Sequence, residues 1–301
     1  MKQIITQLEQ NTNTLIAAFL LFSVGLALIE FVWELYTRKI DRQRLKEMGA
    51  SVWVFLFSFL TEKIGNVLFF ASFFWLANLI TWQLPVNSFT VIATLLFVDL
   101  LYYWEHRLEH EVRLLWGYHS IHHSSPIYNY TTALRVSFFD NFVTWVFYLP
   151  AVLLGFHPVV ILLAIGVMLM YQFWLHTELI GKMGWFGKVF NTPSHHRVHH
   201  GSDEMYLDKN YGGILIIWDK LFGTFQPEIK KPTYGLTEQI NTTHPVKVHL
   251  YEFNQILKDV RKASNVKEAK AYLWNKPGWA PSKEAGQVDD TLEKAKSTRQ
   301  H

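Results

Sequence analysis

Nine of the fourteen histidines in this chain fall in three short runs, and imidazoles grouped this way can share a metal ion. The first run is His106-Arg-Leu-Glu-His110. Residues four apart lie on one helix face, so both rings of that pair can reach the same ion. The second run, His119-Ser-Ile-His122-His123, again has spacings of three and four. The third, His195-His196-Arg-Val-His199-His200, follows Asn191-Thr192-Pro193 and precedes Gly201, start and stop signals that predict a short helix of its own. A tenth histidine, His176, ends an apolar stretch. Clustered neutral imidazoles are costly to desolvate without strong partners, and metal binding is their commonest collective role.

Ligand number indicates two metals. A zinc site takes three or four protein ligands, and the runs with His176 offer more than one such site can use. The His-Glu-x-x-His pattern of zinc hydrolases is absent, because Leu114 stands where its second histidine would be. With no cysteine in the chain, iron–sulfur clusters, thiolate zinc sites and a cysteine nucleophile are excluded. Imidazole suits iron, copper and zinc alike. A pair of redox metals with an open position on each is an arrangement for activating dioxygen, and iron is the reading adopted, with copper or zinc left open by ligand type.

The elements that position these residues are apolar helices. Of the 301 residues 50% are hydrophobic and only 18% charged, where a soluble domain carries about 25% charged residues. Lys+Arg number 28 against 25 Asp+Glu, too balanced for the dense basic face of a nucleic-acid binder. Residues 11–29 carry no charge and the apolar run continues to Trp33, enough for a helix to cross a bilayer core of about 30 Å. This span is expected to be retained rather than cleaved. Arg38, Lys39, Arg42, Arg44 and Lys46 follow, which by the positive-inside rule lie in the cytoplasm. Residues 51–82 and 88–104 then read as a helical hairpin, turning at Gln83, Pro85 and Asn87. Residues 141–177 read as a second, split at Gly155-Phe156-His157-Pro158; because its halves are short, an alternative has residues 141–156 dip in and return. Residues 178–280 are mixed in polarity, with a strand-like apolar run at 213–218, and the tail 281–301 is expected to be disordered. The sequence therefore predicts an all-α integral membrane fold: two helical hairpins plus an N-terminal spanning helix, and a cytosolic, mainly helical cap that carries a histidine-rich di-metal site. In domain terms, residues 1–104 are transmembrane helices and 105–280 the catalytic domain.

The three runs resemble the histidine boxes of the fatty acid hydroxylase/sterol desaturase superfamily of membrane non-haem di-iron enzymes. The longer strings Tyr171-Gln-Phe-Trp-Leu-His176-Thr-Glu178, Asp208-Lys-Asn-Tyr211 and Asp219-Lys-Leu-Phe-Gly-Thr-Phe225 are most similar to its alkylglycerol monooxygenase branch. The likeness covers about residues 100–250. It implies His106, His110, His119, His122, His123, His196, His199 and His200 as ligands of two iron ions, with His176 and His195 as additional ligands or as groups supporting them. It implies a lipid substrate, dioxygen and external electrons, supplied by tetrahydrobiopterin in that branch or by another reductant or electron-transfer protein. The absence of Gly-x-Gly-x-x-Gly agrees that the reductant comes from outside.

Glu105, Glu109, Glu111, Glu178 and Asp208 are candidates to orient ligand imidazoles through their second nitrogens, Glu111 foremost because it follows a ligand directly and matches the resembling family. Solvated helix-end charges are the ordinary alternative. Arg107 and Arg197, inside boxes, could anchor a carboxylate, a lipid phosphate or the headgroup surface. His157 lies in the predicted far-side turn, across the membrane from the boxes, and is not expected to be a ligand; His244, His249 and His301 lack box spacing, and a surface role is the default for each. The function expected is a multi-pass membrane oxygenase with its site at the cytoplasmic face, hydroxylating a lipid C–H bond in the manner of an alkylglycerol monooxygenase. A sterol, carotenoid or fatty acyl hydroxylase or desaturase is the alternative. A histidine-based metal transporter fits less well, because transport ligands belong near the bilayer midplane.

Overall fold

The computed structural model describes residues 2–281, with side chains from residue 17 onward. The tail expected to be disordered lies outside the described residues beyond Pro281. Among the described residues the chain forms helices and two isolated bridges, Phe190 with Leu215 and Gly201 with Tyr234, but no strand.

Three long apolar helices come first: α1 (Lys2–Tyr36), α2 (Arg42–Leu79) and α3 (Ser88–Glu111). Each is long and apolar enough to cross a membrane, the apolar part of α1 being Ala17–Tyr36. Twenty helical residues rise about 30 Å, the thickness of a bilayer core. Their outer faces leave large side chains such as Leu21, Trp53, Leu60 and Val67 exposed, a surface suited to lipid and not to water. Asp41 caps α2 by accepting from the Arg44 N–H at 2.7 Å, so Arg42, Arg44 and Lys46 stand in its first turns. Asn87 and Thr90 form a reciprocal capping box that starts α3.

Helix α4 (Arg113–His123) begins after a single extended residue, Val112, and folds against the end of α3. Then come two short helices, α5 (Asp140–Val143) and α6 (Leu149–Leu153), joined by a 3₁₀ turn, and α7 (Pro158–Phe173), started by Pro158. At 16 residues α7 rises about 24 Å, less than a bilayer core. Between α2, α3, α6 and α7 lies an apolar core of Phe73, Val98, Ala151, Val152, Ile161 and Met168. Helices α8 (Pro193–His199), α9 (Ile217–Phe222), α10 (Pro245–Lys262) and α11 (Val266–Trp274) complete the described chain.

Two carboxylates within the first span tie it to the chain around the histidines. Glu30 accepts from the Tyr130 backbone N–H at 2.7 Å and from the Thr177 hydroxyl, and Glu34 pairs with Arg44. Ionisable groups within an apolar span carry such partners as a rule.

Two expectations are corrected. The run 213–218 is a loop entering α9, because the Asp99 carboxylate takes the N–H groups of Ile214 at 2.6 Å and Leu215 at 3.1 Å that a strand would need. His249 is buried rather than at the surface: its ring packs against Phe57 and Phe138, and Nδ1 meets the Pro245 carbonyl at 2.8 Å.

Candidate metal centre

Nine histidines converge from four segments into two adjacent groups. His106 and His110 of α3, His119 and His123 of α4 and His199 of α8 form the first, and His122, His176, His196 and His200 the second. Within each group one nitrogen of every ring lies within 4.8 Å of the others. The groups abut: the His123 and His200 rings stack with centroids 4.3 Å apart. Helix geometry explains the sorting on α4, where His119 and His123 share a face and His122 points to the neighbouring group. Pro193 at the start of α8 fixes the turn from which His196, His199 and His200 project.

In the first group the outer nitrogens are engaged by oxygen acceptors. His106 Nδ1 meets the Tyr211 carbonyl at 2.9 Å, His199 Nδ1 the Lys209 carbonyl at 3.0 Å, and His119 Nδ1 the Glu109 carboxylate at 2.8 Å. These contacts place the proton on Nδ1 and leave each Nε2 as a bare lone pair directed inward. His106 and His123 both present Nε2 to His119 Nε2 at 3.2 Å, and Nε2 of His110 and of His199 are buried without a protein partner. In the second group His176 donates from Nδ1 to the Gln172 carbonyl at 3.0 Å, and its Nε2 lies 3.2 Å from that of His122 and 3.0 Å from that of His196. His200 Nε2 is 3.2 Å from His196 Nε2.

These distances fit a metal ion in each group. Two imidazole nitrogens about 2.0–2.1 Å from one ion stand roughly 3.0 Å apart at a right angle and roughly 3.4 Å at the tetrahedral angle. Lone pairs facing one another at 3.0–3.2 Å repel unless a cation lies between them. Burial, followed by the neighbouring rings, pushes the pKa of His122, His123, His196, His199 and His200 well below that of free imidazole, which keeps them neutral and able to ligate.

The other expected site residues distribute differently. His195 stands outside both groups, its ring against Phe225, and burial with the nearby Lys220 lowers its pKa to about 4. Glu111 pairs with Arg107 at 3.2 Å and with Lys276 at 3.5 Å, and no ligand imidazole bonds to it among the contacts of the described residues. Asp208 Oδ1 lies 3.9 Å from His110 Nδ1, too long for a hydrogen bond, while its other oxygen meets Lys276 at 3.2 Å. Among these carboxylates it is Glu109 that bonds to an imidazole of the groups, that of His119, and it also accepts from the Tyr118 hydroxyl at 2.8 Å. Glu105 bonds to Tyr148, and Glu178 pairs with Lys231 at 2.8 Å. Arg197 is buried and faces protein: it forks onto Glu228 at 2.7 and 2.9 Å and donates to the carbonyls of Thr177 and Ile180. The carbonyls of Lys209 and Tyr211 are functional groups that sequence spacing could not reveal, since backbone oxygens carry no residue signature.

A cavity of about 540 Å³ reaches His110, His123 and His199 of the first group and His200 of the second. Its far wall is built by α10, α11 and the turn after them, including Tyr251, Tyr272 and Trp279. Arg113 fastens this wall to α4 through Glu252 at 3.0 Å and Asp259 at 2.7 Å.

Residues 91–224 match the fatty acid hydroxylase family. The chain is 39% identical over 264 residues to alkylglycerol monooxygenase of Homo sapiens, covering 87% of this chain and 59% of that protein. It is 45% identical over 202 residues to the Danio rerio protein of the same name, covering 67% and 45%. Ornithine lipid hydroxylase OlsE of Rhizobium tropici is 32% identical over 157 residues, covering 51% and 47%. The chain thus spans about half the length of these curated relatives. No solved structure matches it. The stretch that matches the fatty acid hydroxylase family, residues 91–224, holds all nine grouped histidines, and among the described residues three helices are long and apolar enough to cross a membrane.

Proposed function

We propose that this chain is a dioxygen-dependent lipid monooxygenase whose two histidine groups each hold one iron ion. The observation that carries the reading is the pair of abutting, buried imidazole groups with Nε2 atoms facing one another at 3.0–3.2 Å. When bound, two iron ions supply the redox capacity for activating dioxygen. The overall reaction inserts one oxygen atom into a substrate C–H bond and reduces the other to water, consuming two electrons and two protons from an external donor.

The chain's own residues hold the rings neutral and aimed. Glu109, Tyr211 and Lys209 fix three imidazoles of the first group, and Gln172 fixes His176 of the second. Burial excludes bulk water, which protects reactive species from side reactions. The cavity brings substrate or reductant to four of the rings.

Topology follows the positive-inside rule, with Arg38, Lys39, Arg42, Arg44 and Lys46 in the cytoplasm. Glu34 and Glu30 connect that end of the first span to Asn129, Tyr130 and Thr177, next to His176, which supports a multi-pass arrangement with the site at the cytoplasmic face. Under this reading α2 and α3 form one membrane hairpin, the broken helix α5–α6 with α7 forms the second, and the remaining helices cap the site in the cytosol.

The similarity to alkylglycerol monooxygenases makes ether lipids the first substrate class to test, with tetrahydrobiopterin as the first electron donor. Hydroxylation beside an ether oxygen gives a hemiacetal, which separates into an aldehyde and an alcohol. The test is oxygen uptake by the purified, iron-loaded chain with ether lipids, fatty acyl lipids and sterols, with and without reduced pterin. Uptake coupled to aldehyde release from an ether lipid is expected. Uptake with another lipid class would move the assignment within the family; no uptake with any lipid and reductant by a chain carrying two irons would overturn it.

A further inference from the structure

The histidine groups do not explain a fully buried carboxylate beside them. Asp219 of α9 has no exposed surface, and its partners are two backbone N–H groups and one hydroxyl: Tyr211 N–H at 2.8 Å, Gly212 N–H at 2.8 Å and Thr224 Oγ1 at 2.7 Å. A charge placed so deep is held by charge-assisted hydrogen bonds, and here they all act on the chain around residues 211–224. That chain presents the Lys209 and Tyr211 carbonyls to His199 and His106, rings that come from two different helices. Asp208 and Asn210 have left-handed backbones, φ 58° and 57°, which turn the two carbonyls toward the rings. Gly212 permits the close approach, because a Cβ there would lie 2.9 Å from Asp219 Oδ2 and 2.5 Å from the Leu215 carbonyl.

We infer that Asp219 is a positioning residue for the first metal group: by holding the 211–212 peptide it fixes the Tyr211 carbonyl on His106, and by holding Thr224, whose carbonyl takes the Asn210 N–H at 3.1 Å, it braces the Lys209 carbonyl on His199, without touching either ring. This rests on the reading that each group binds a metal. The second group has its own support, Gln172 for His176, and among the described residues no ring nitrogen of that group bonds to the 209–212 backbone, although Asn210 and Gly212 also touch the start of α8 through the His195 carbonyl and the Asn191 side chain. Asp219 therefore controls one metal and not the other. A neighbouring carboxylate offers a contrast. Asp99 holds Ile214 N–H, Leu215 N–H and the Trp218 indole at 2.8 Å, further along the same loop and beyond both carbonyls.

The experiment is an anaerobic titration of the metal-free full-length chain in detergent with cobalt(II), followed by visible absorption and total metal analysis, for wild type, Asp219→Asn, Thr224→Val and Asp99→Asn. In Asp219→Asn the amide turns an NH₂ toward one of the two peptide donors, so the loop loses an acceptor. The expected result is a 10–100-fold weaker affinity at one of two sites, the range seen when groups supporting metal ligands are removed. At limiting free metal the bound total then falls from about two per chain to about one. Thr224→Val, which removes one of three donors, should show a smaller loss at the same site. Asp99→Asn should lower thermal stability and keep both affinities. Two wild-type affinities in Asp219→Asn, or equal weakening at both sites, would overturn the inference. A wild-type chain that fails to bind two metals would instead count against the proposed function, so the two failures are distinguishable. If Asp219→Asn does not fold, Thr224→Val decides alone: equal weakening of both sites, or none, overturns the inference.

Discussion

Replacing Glu109 by Gln tests how far one carboxylate governs a ligand ring. Glu109 is 5% exposed; one oxygen lies 2.8 Å from His119 Nδ1 and the other accepts from Tyr118. Gln keeps the shape, and its carbonyl oxygen still accepts from Nδ1–H, but the negative charge that raises the basicity of the inward Nε2 is gone. His119 Nε2 faces both His106 and His123, so it is central to the first group. Loss of a group supporting a metal ligand costs 10–100-fold in affinity, about 1.4–2.7 kcal/mol. Glu109→Ala goes further, leaving His119 Nδ1 and the Tyr118 hydroxyl buried without acceptors at about 1–3 kcal/mol each, and should lower folding stability as well. The assay is iron(II) or cobalt(II) competition against a chelator of known affinity, with thermal unfolding of the metal-free chains alongside. Gln should weaken one site with little change in metal-free stability, and Ala should reduce both quantities. Wild-type affinity in both variants would refute the role given to Glu109.

Other perturbations have equally definite outcomes. Arg197→Lys loses the fork onto Glu228 and cannot reach both carbonyls, so unfolding in denaturant should show a loss of about 2–3 kcal/mol; a loss under half that would mean the buried pair contributes little. Glu30→Leu strands the Tyr130 N–H and the Thr177 hydroxyl, and the thermal midpoint should fall by the equivalent of about 1–3 kcal/mol per donor. For pH, His195 has a folded pKa of about 4, below the ordinary 6.5, so the unfolded chain binds a proton that the folded chain refuses. Stability is then unaffected above about pH 6.5 and falls as pH drops from 6.5 toward 4, by up to about 1.4 kcal/mol per pH unit. His195→Gln should flatten the stability–pH curve by that amount, and an unchanged slope would refute the assignment.

Much of the site was legible because imidazole spacing and helix periodicity are both local. His106 with His110, and His119 with His123, are four apart, and each pair does share a group. The choice between Glu109 and Glu111 was not legible. Each is one residue from His110, about 100° to either side of it on the helix, and only the return of α4 after Val112 decides which side meets His119. His195 shows the same limit on α8: four residues before His199, it still falls at the edge of the inward arc that His196, His199 and His200 occupy. In the fold, uncharged length identified the three long helices. The strand-like run at 213–218 misled because its apolar pattern said nothing of Asp99, more than a hundred residues earlier, which takes its backbone donors.

Metal stoichiometry with ligand-specific variants tests the central claim most directly. The metal-free chain, reloaded anaerobically with iron(II) and freed of excess, should carry two ions per chain with imidazole nitrogen coordination by X-ray absorption. His110→Ala and His176→Ala should each weaken a different one of the two sites. A folded chain that retains one ion or none after loading, or in which both variants deplete the same single site, would contradict the account.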